Sequence, residues 1–329
     1  MLENRAAELR DRYEIEYRIT GIASRRLGWI ANPTGISAAD ALAIASDREG
    51  RDLSRAVAGI EKEAALATGV EAWLSRAHAD VLFEATSLNV TDGQPAIDHI
   101  RAALHHGAHA ITANKGPIVH AYRELRDLAA QQGKRFLFES TVMDGVPIFS
   151  FFDQLPAIHL QGFHGILNST TNVILSEMEQ GLSFDEALKK AQALGIAETD
   201  ATHDIDGWDA AVKTAALITV LMDVPIRLDQ IAREGIRDLT TNAVRSARRD
   251  GWPFKLVCRA KRTREGIEAK VAPEKVLIGT PMGMTSGTSS YICFNTDIFP
   301  RLELTEGDPG LYATAYGMLA DFIRAARQD

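Results

Sequence analysis

Hydrophobic and polar positions follow two rhythms in the first half of this chain. Helical spacing predicts helices over 3–13, 40–46, 53–65, 97–106 and 119–132. Short apolar runs predict strands at 17–23, 81–85, 110–112 and 135–139. Strands and helices in alternation imply a parallel sheet with crossover helices. Ligands on such a sheet bind beyond the carboxyl ends of its strands. That rule singles out 23–26, 86–87, 112–115 and the turn after Glu139.

The second half reads differently. A strand is predicted over 159–167 and helices over 172–179 and 210–221, the latter ending near Val224-Pro225. Ser183 with Glu186 three residues on is a capping box for a further helix. Segments 254–260 and 267–271 read as an antiparallel pair turning at 264–266. A strand at 291–296 and a helix at 311–327 complete the pattern, with no repeat or low-complexity linker. Two domains are expected from the 329 residues: 1–145, then 146–300, with 301–329 as a C-terminal segment whose helix returns to the first domain.

Charge changes the picture by exclusion. Lys and Arg number 36 against 44 Asp and Glu, a formal net charge of −8, and no polybasic tract occurs. Nucleic acid and anionic membrane are therefore not expected as partners. No apolar run is long enough to span a bilayer, and the N-terminus is charged rather than signal-like. Two cysteines, Cys258 and Cys293, suit a reducing compartment. A cytoplasmic location is expected.

The candidate chemistry concentrates between Glu198 and Lys213, which holds Asp200, Asp204, Asp206 and Asp209 as well. Asp209 and Lys213 are four residues apart and share a helix face. A carboxylate and an amine at the mouth of an apolar helix can move a proton and hold a small cationic substrate. An acidic cluster favoured by the helix dipole, with an ordinary salt bridge behind it, explains the segment as well. Thr112-Ala113-Asn114-Lys115-Gly116-Pro117 places Lys115 at a strand end, or is a generic turn. The turn from Glu139 to Pro147 can expose backbone carbonyls to a cation, or simply join two domains. Leu167 to Asn172, with Asn168 and Thr170, can cap a helix and offer polar groups to a ligand.

Taken in order, Thr112 to Pro117, Gly165 to Asn172 and Gly195 to Lys213 resemble the homoserine dehydrogenase family over nearly the whole chain. The resemblance implies a Rossmann-like doubly wound parallel sheet and a second mixed α/β domain for substrate and dimerisation. It implies reversible reduction of aspartate 4-semialdehyde to homoserine with NADPH or NADH, in a homodimer or higher oligomer. Lys115 and Lys213 would flank the reacting carbonyl, with Asp209 paired to Lys213. Glu198 and Asp204, with Asn168 and Thr170, would hold the substrate. A proton donor at the new alkoxide suits a lysine whose pKa burial has lowered. The cofactor would meet Thr86, Ser87, Lys115 and Gly310. Arg25 and Arg26, after the strand at 17–23, would meet an NADP phosphate, or are simply solvated surface. A monovalent cation, sodium or potassium, would lie on the carbonyls of Glu139, Val142, Asp144 and Val146.

Three departures stand out. Ser169 replaces a usual glycine, and Asp308-Pro309-Gly310 stands where the family often has Gly-Ala-Gly. The family's first strand and its G-x-G-x-x-G turn are not found, so the expected start lies inside the following helix and dinucleotide binding is expected to be weak. Two alternatives remain open: a non-catalytic paralogue acting as a partner protein, and a dehydrogenase for a related amino-acid alcohol.

Overall fold

The computed structural model describes residues 1–46, 61–63 and 69–327. Strands Val81–Glu84, His109–Thr112 and Phe136–Leu137 pair in parallel in that order. Helices Ala96–His106 and Gly116–Gln131 cross over between them, burying Ile97, Ile100, Leu104, Ile118 and Leu125. Successive side chains of the middle strand face opposite ways. Ala110 joins the core under those helices, while Ile111 packs with Leu9, Leu319 and Phe322 of the first and last helices. Both faces of this Rossmann-like sheet are thus covered, as parallel sheets require.

The strand expected at 17–23 does not belong to that sheet. Ile19–Ser24 turns at 25–27 and pairs antiparallel with Gly28–Ile36, which pairs in turn with Glu61–Glu63. The 28–36 strand contains Pro33 and Gly35, which hid it from a search for apolar alternation. The helix expected over 53–65 lies mainly outside the described residues, and its 61–63 part is this edge strand. Helix Gly69–Ala77 closes the hairpin: the Trp73 indole donates to the Ile30 carbonyl at 2.8 Å. A side chain at Gly21 would come within 2.8 Å of the Trp73 ring, so the strand admits only glycine there.

The second part is a six-stranded sheet in the order Leu302–Glu306, Ser290–Thr296, Leu160–Ile166, Phe254–Thr263, Gly266–Lys275, Ala232–Arg233. All its pairings are antiparallel except the last. Helices Ser169–Glu179 and Trp208–Leu221 pack on the central strand Phe254–Thr263. The capping box of Ser183 and Glu186 opens helix Phe184–Ala193 as expected. Helix Trp208–Leu221 is buried over most of its length, since Ala210, Ala211, Ala215, Ala216, Leu217 and Ile218 leave few polar positions.

The last helix, Leu311–Ala326, runs back to the parallel sheet. Its close seat on the 139–146 turn depends on two glycines. A methyl group at Gly145 would overlap the Ala313 carbonyl, and one at Gly317 would overlap the Ser140 hydroxyl. The Ser140 hydroxyl and the Glu139 amide fasten the same junction, donating to the Thr314 carbonyl at 2.7 Å and to Asp321 at 2.8 Å.

Candidate active site

Gly207 sits at φ 79° and caps the start of helix Trp208–Leu221, so Asp209 falls in its first turn and Lys213 one turn later. The Asp209 carboxylate lies 3.1 Å from Lys213 Nζ and 3.4 Å from Lys115 Nζ. Lys115 comes from the other part of the chain, at the start of helix Gly116–Gln131. The three side chains are each 17–18% exposed, so they are shielded from bulk water without being sealed from it. Lys213 also donates to the Leu167 carbonyl at 2.6 Å.

Asn168 joins this group to a second carboxylate. It caps helix Ser169–Glu179 by accepting from the Thr171 amide at 2.9 Å. Its side-chain amide donates to Asp204 at 2.7 Å and Asp209 at 3.0 Å. Thr170, buried beside it, donates to the Ile196 carbonyl at 3.3 Å. Capping and site construction are therefore both true of this loop.

The electrostatics divide the two acids. Burial works to raise the Asp209 carboxyl, but Lys213, Lys115 and the Asn168 amide outweigh it and hold it well below the usual carboxylate range. Burial and the Asp209 charge raise Asp204 above its usual range. For Lys213 burial works downward, yet the paired Asp209 reverses it and the net shift is upward. The expectation of a lysine lowered by burial is thereby corrected: an ion pair in a low-dielectric site favours both charged forms.

Other expected residues are placed less centrally. Glu198 is exposed and stands apart from the hydrogen-bonded cluster among the described residues; its backbone carbonyl accepts from Gln192 at 3.1 Å. Thr86 and Ser87 are exposed at the carboxyl end of Val81–Glu84, and Asn114 donates to their carbonyls at 3.0 and 3.4 Å. Gly310 precedes the last helix, in a loop where Asp308 receives Ser289 and Thr288 at 3.5 Å. Arg25 and Arg26 occupy the hairpin turn, and Arg26 donates to the Ala45 carbonyl at 2.8 Å. They do not follow a strand of the parallel sheet, so the argument for NADP from their position loses its basis.

In the 139–146 turn, the Glu139 carboxylate accepts from the Phe149 and Ser150 amides at 2.7 and 3.0 Å. It is committed to the start of helix Ile148–Asp153, and Asp144 adopts φ 45°.

Glu306 escaped the sequence reading. Burial, then Asp144, pushes its carboxyl up to about 7 against the pull of Lys213, and its Oε2 is buried without a hydrogen-bond partner among the described residues. Nothing in the run Glu303-Leu304-Thr305-Glu306 marks it out from an ordinary strand end. A cavity of about 430 Å³ between His164, Arg259, Tyr291 and Arg301 touches none of these residues.

Comparison with known proteins bears on both halves. The profile of the homoserine dehydrogenase NAD-binding domain matches residues 8–139, and that of homoserine dehydrogenase matches 147–323. An NAD(+)-dependent homoserine dehydrogenase of Pseudomonas canavaninivorans is 34% identical over 93% of this chain and 86% of its own length. A homoserine dehydrogenase of Methanocaldococcus jannaschii is 33% identical over 88% and 87%. Among solved structures, a homoserine dehydrogenase from Thiobacillus denitrificans superposes with TM-score 0.79 at 28% identity, covering 98% of this chain and 68% of that one. A hyperthermophilic archaeal homoserine dehydrogenase mutant in complex with NADPH gives TM-score 0.79 at 26% identity, covering 97% and 92%. Matched along nearly its whole length, with an NAD-binding domain ahead of a mixed α/β domain, the chain belongs to the homoserine dehydrogenase family.

Proposed function

We propose that this chain interconverts aspartate 4-semialdehyde and homoserine with NADH or NADPH. The observation that carries the reading is one carboxylate, Asp209, held between two amines, Lys213 at 3.1 Å and Lys115 at 3.4 Å. The nicotinamide supplies or takes the hydride. The polar turn at Thr86, Ser87 and Asn114, beyond two parallel strand ends, is the kind of crevice that accepts it.

In reduction, negative charge develops on the aldehyde oxygen. Lys213 is kept as an ammonium by Asp209, so it can donate a hydrogen bond and then a proton to that oxygen. Lys115 places a second positive charge beside the same point. In oxidation the roles reverse: Lys213 must be neutral before it can take the hydroxyl proton, and Asp209 opposes that step. Asp204, Asn168 and Thr170 line the polar end of the substrate, and the exposed Glu198 carboxylate is available to its ammonium group. A monovalent cation would be held by the carbonyls of Glu139, Val142, Asp144 and Val146, fixing the turn against the last helix. We assign 1–145 to cofactor binding, 146–300 to substrate and dimer contacts, and 301–329 to the return helix.

The test follows nicotinamide absorbance with L-homoserine as substrate, for the wild type, Lys213→Ala and Lys115→Ala. Losing a placed proton donor lowers rate by about 10²–10⁴. Near-normal turnover in both variants would reject the assignment. A wild type inactive on homoserine but active on another amino-acid alcohol would move the reading to that substrate.

A further inference from the structure

Glu84 ends a parallel strand with its side chain buried, 2% exposed, in a place that desolvates a carboxylate. Both of its oxygens are engaged. Oε1 accepts from the Thr86 amide at 2.9 Å and from the Thr86 hydroxyl. Oε2 accepts from the Thr112 hydroxyl at 2.8 Å. That hydroxyl in turn accepts from the Asn114 amide at 2.9 Å. Asn114, itself buried, accepts from the Gly116 amide at 2.9 Å and donates back to the Thr86 carbonyl at 3.0 Å. Among the described residues, the His99 ring also stands near Glu84, with Nδ1 3.9 Å from Oε1.

Lys115 sits between Asn114 and Gly116, the two residues whose amides this chain of hydrogen bonds fixes. Its Nζ reaches across to Asp209 on the far part of the molecule. A lysine has a long flexible stem, so its ammonium is only as well placed as the backbone that carries it. Packing glycines reinforce the same point, because a methyl group at Gly116 would come within 2.9 Å of Gly93.

We propose that Glu84 is a positioning residue of the reacting centre: through Thr112 and Asn114 it fixes the backbone on both sides of Lys115 and holds that ammonium against Asp209. The proposal rests on reading Lys115, Asp209 and Lys213 as that centre. A misplacement of about 1 Å at a reacting group costs on the order of a hundredfold in rate. A clamp that merely stabilised the fold would change stability and leave the Lys115 ammonium where it is.

Thr112 separates the two. Thr112→Val keeps the shape and removes the hydroxyl, whereas Thr112→Ser keeps the hydroxyl and removes the methyl. The relay predicts kcat for homoserine oxidation lowered tenfold or more in Thr112→Val, with KM changed less than threefold, and Thr112→Ser within threefold of wild type in both. The reverse order, or equal loss in both, would overturn it. The Lys115 signal in a ¹³C reductive-methylation spectrum, identified by its loss in Lys115→Arg, must shift in Thr112→Val and in Glu84→Gln. An unmoved signal rejects the proposal even if the wild type proves inactive on homoserine. If Thr112→Val does not fold, Glu84→Gln decides by the same signal and the same split of kcat from KM.

Discussion

The carboxylate of Asp209 stands 3.1 Å from the ammonium nitrogen of Lys213, one helical turn further along the same face. The pair fixes the direction of both shifts, Asp209 downward and Lys213 upward, against the burial that opposes each. A lysine so held is a ready proton donor and a reluctant base.

Homoserine oxidation should therefore climb with pH, since the neutral amine of Lys213 is scarce at neutrality. Asp209→Asn removes the main partner that raises Lys213 and leaves burial opposed by the weaker pull of Asp144 and Asp204. Its kcat/KM profile should move to lower pH, with a reduced plateau. A profile that stays in place or moves upward would mean that another group takes the hydroxyl proton.

Glu198 is exposed, so an ion pair with the substrate ammonium would be screened by water. Glu198→Gln should raise KM for homoserine by about fivefold at most, with kcat unchanged, as expected for uniform binding. Asp204→Asn should differ, because Asp204 shares the Asn168 amide with Asp209. There kcat should fall together with kcat/KM. Steady-state kinetics on the two variants would show whether this split is real.

Burial, aided by Glu139, pushes the Asp321 carboxyl up to about 7 in spite of the Glu139 amide and Arg324. An acid whose folded pKa lies above its unfolded one favours the folded state while protonated. Stability should thus fall as pH rises from about 4 to about 7. Glu306, also pushed up to about 7, adds to the same slope. Asp321→Asn keeps an acceptor for the Glu139 amide and cannot ionise. It should flatten this part of the profile and raise Tm at pH 8 by about 2 °C or more. Thermal melts with an unchanged slope would count against a neutral Asp321.

Gly145→Ala would drive a methyl group into the Ala313 carbonyl. The clash involves backbone, which cannot rotate away, so the last helix must shift from the 139–146 turn. A loss of about 1–3 kcal/mol is expected by denaturant unfolding. Gly107→Ala is a useful contrast, because there nothing stands within 4 Å and only the φ of 86° is unfavourable. Gly145 itself has no positive φ, so unchanged stability in Gly145→Ala would show that the last helix gives way to the methyl group without cost.

Local patterning determined most elements on its own. Helical periodicity placed 97–106 and 210–221, and a Ser and a Glu three apart placed the start of helix Phe184–Ala193. Four-residue spacing on a helix is enough to bring Asp209 and Lys213 together, because helix geometry fixes that distance whatever surrounds it. Tertiary structure decided the rest. Strand Ile19–Ser24 looks like any parallel strand, and only its partner at 28–36 makes it a hairpin and puts Arg25 and Arg26 in a turn. Strand composition reports burial, not partner, so pairing was not legible. Lys115 meets Asp209 across two sheets, and Glu306 comes near Lys213 from the far edge of the second. The upward shift of Lys213 belongs to the same class: the sequence announces that the lysine is buried, but the sign of its shift depends on which charges the fold sets beside it.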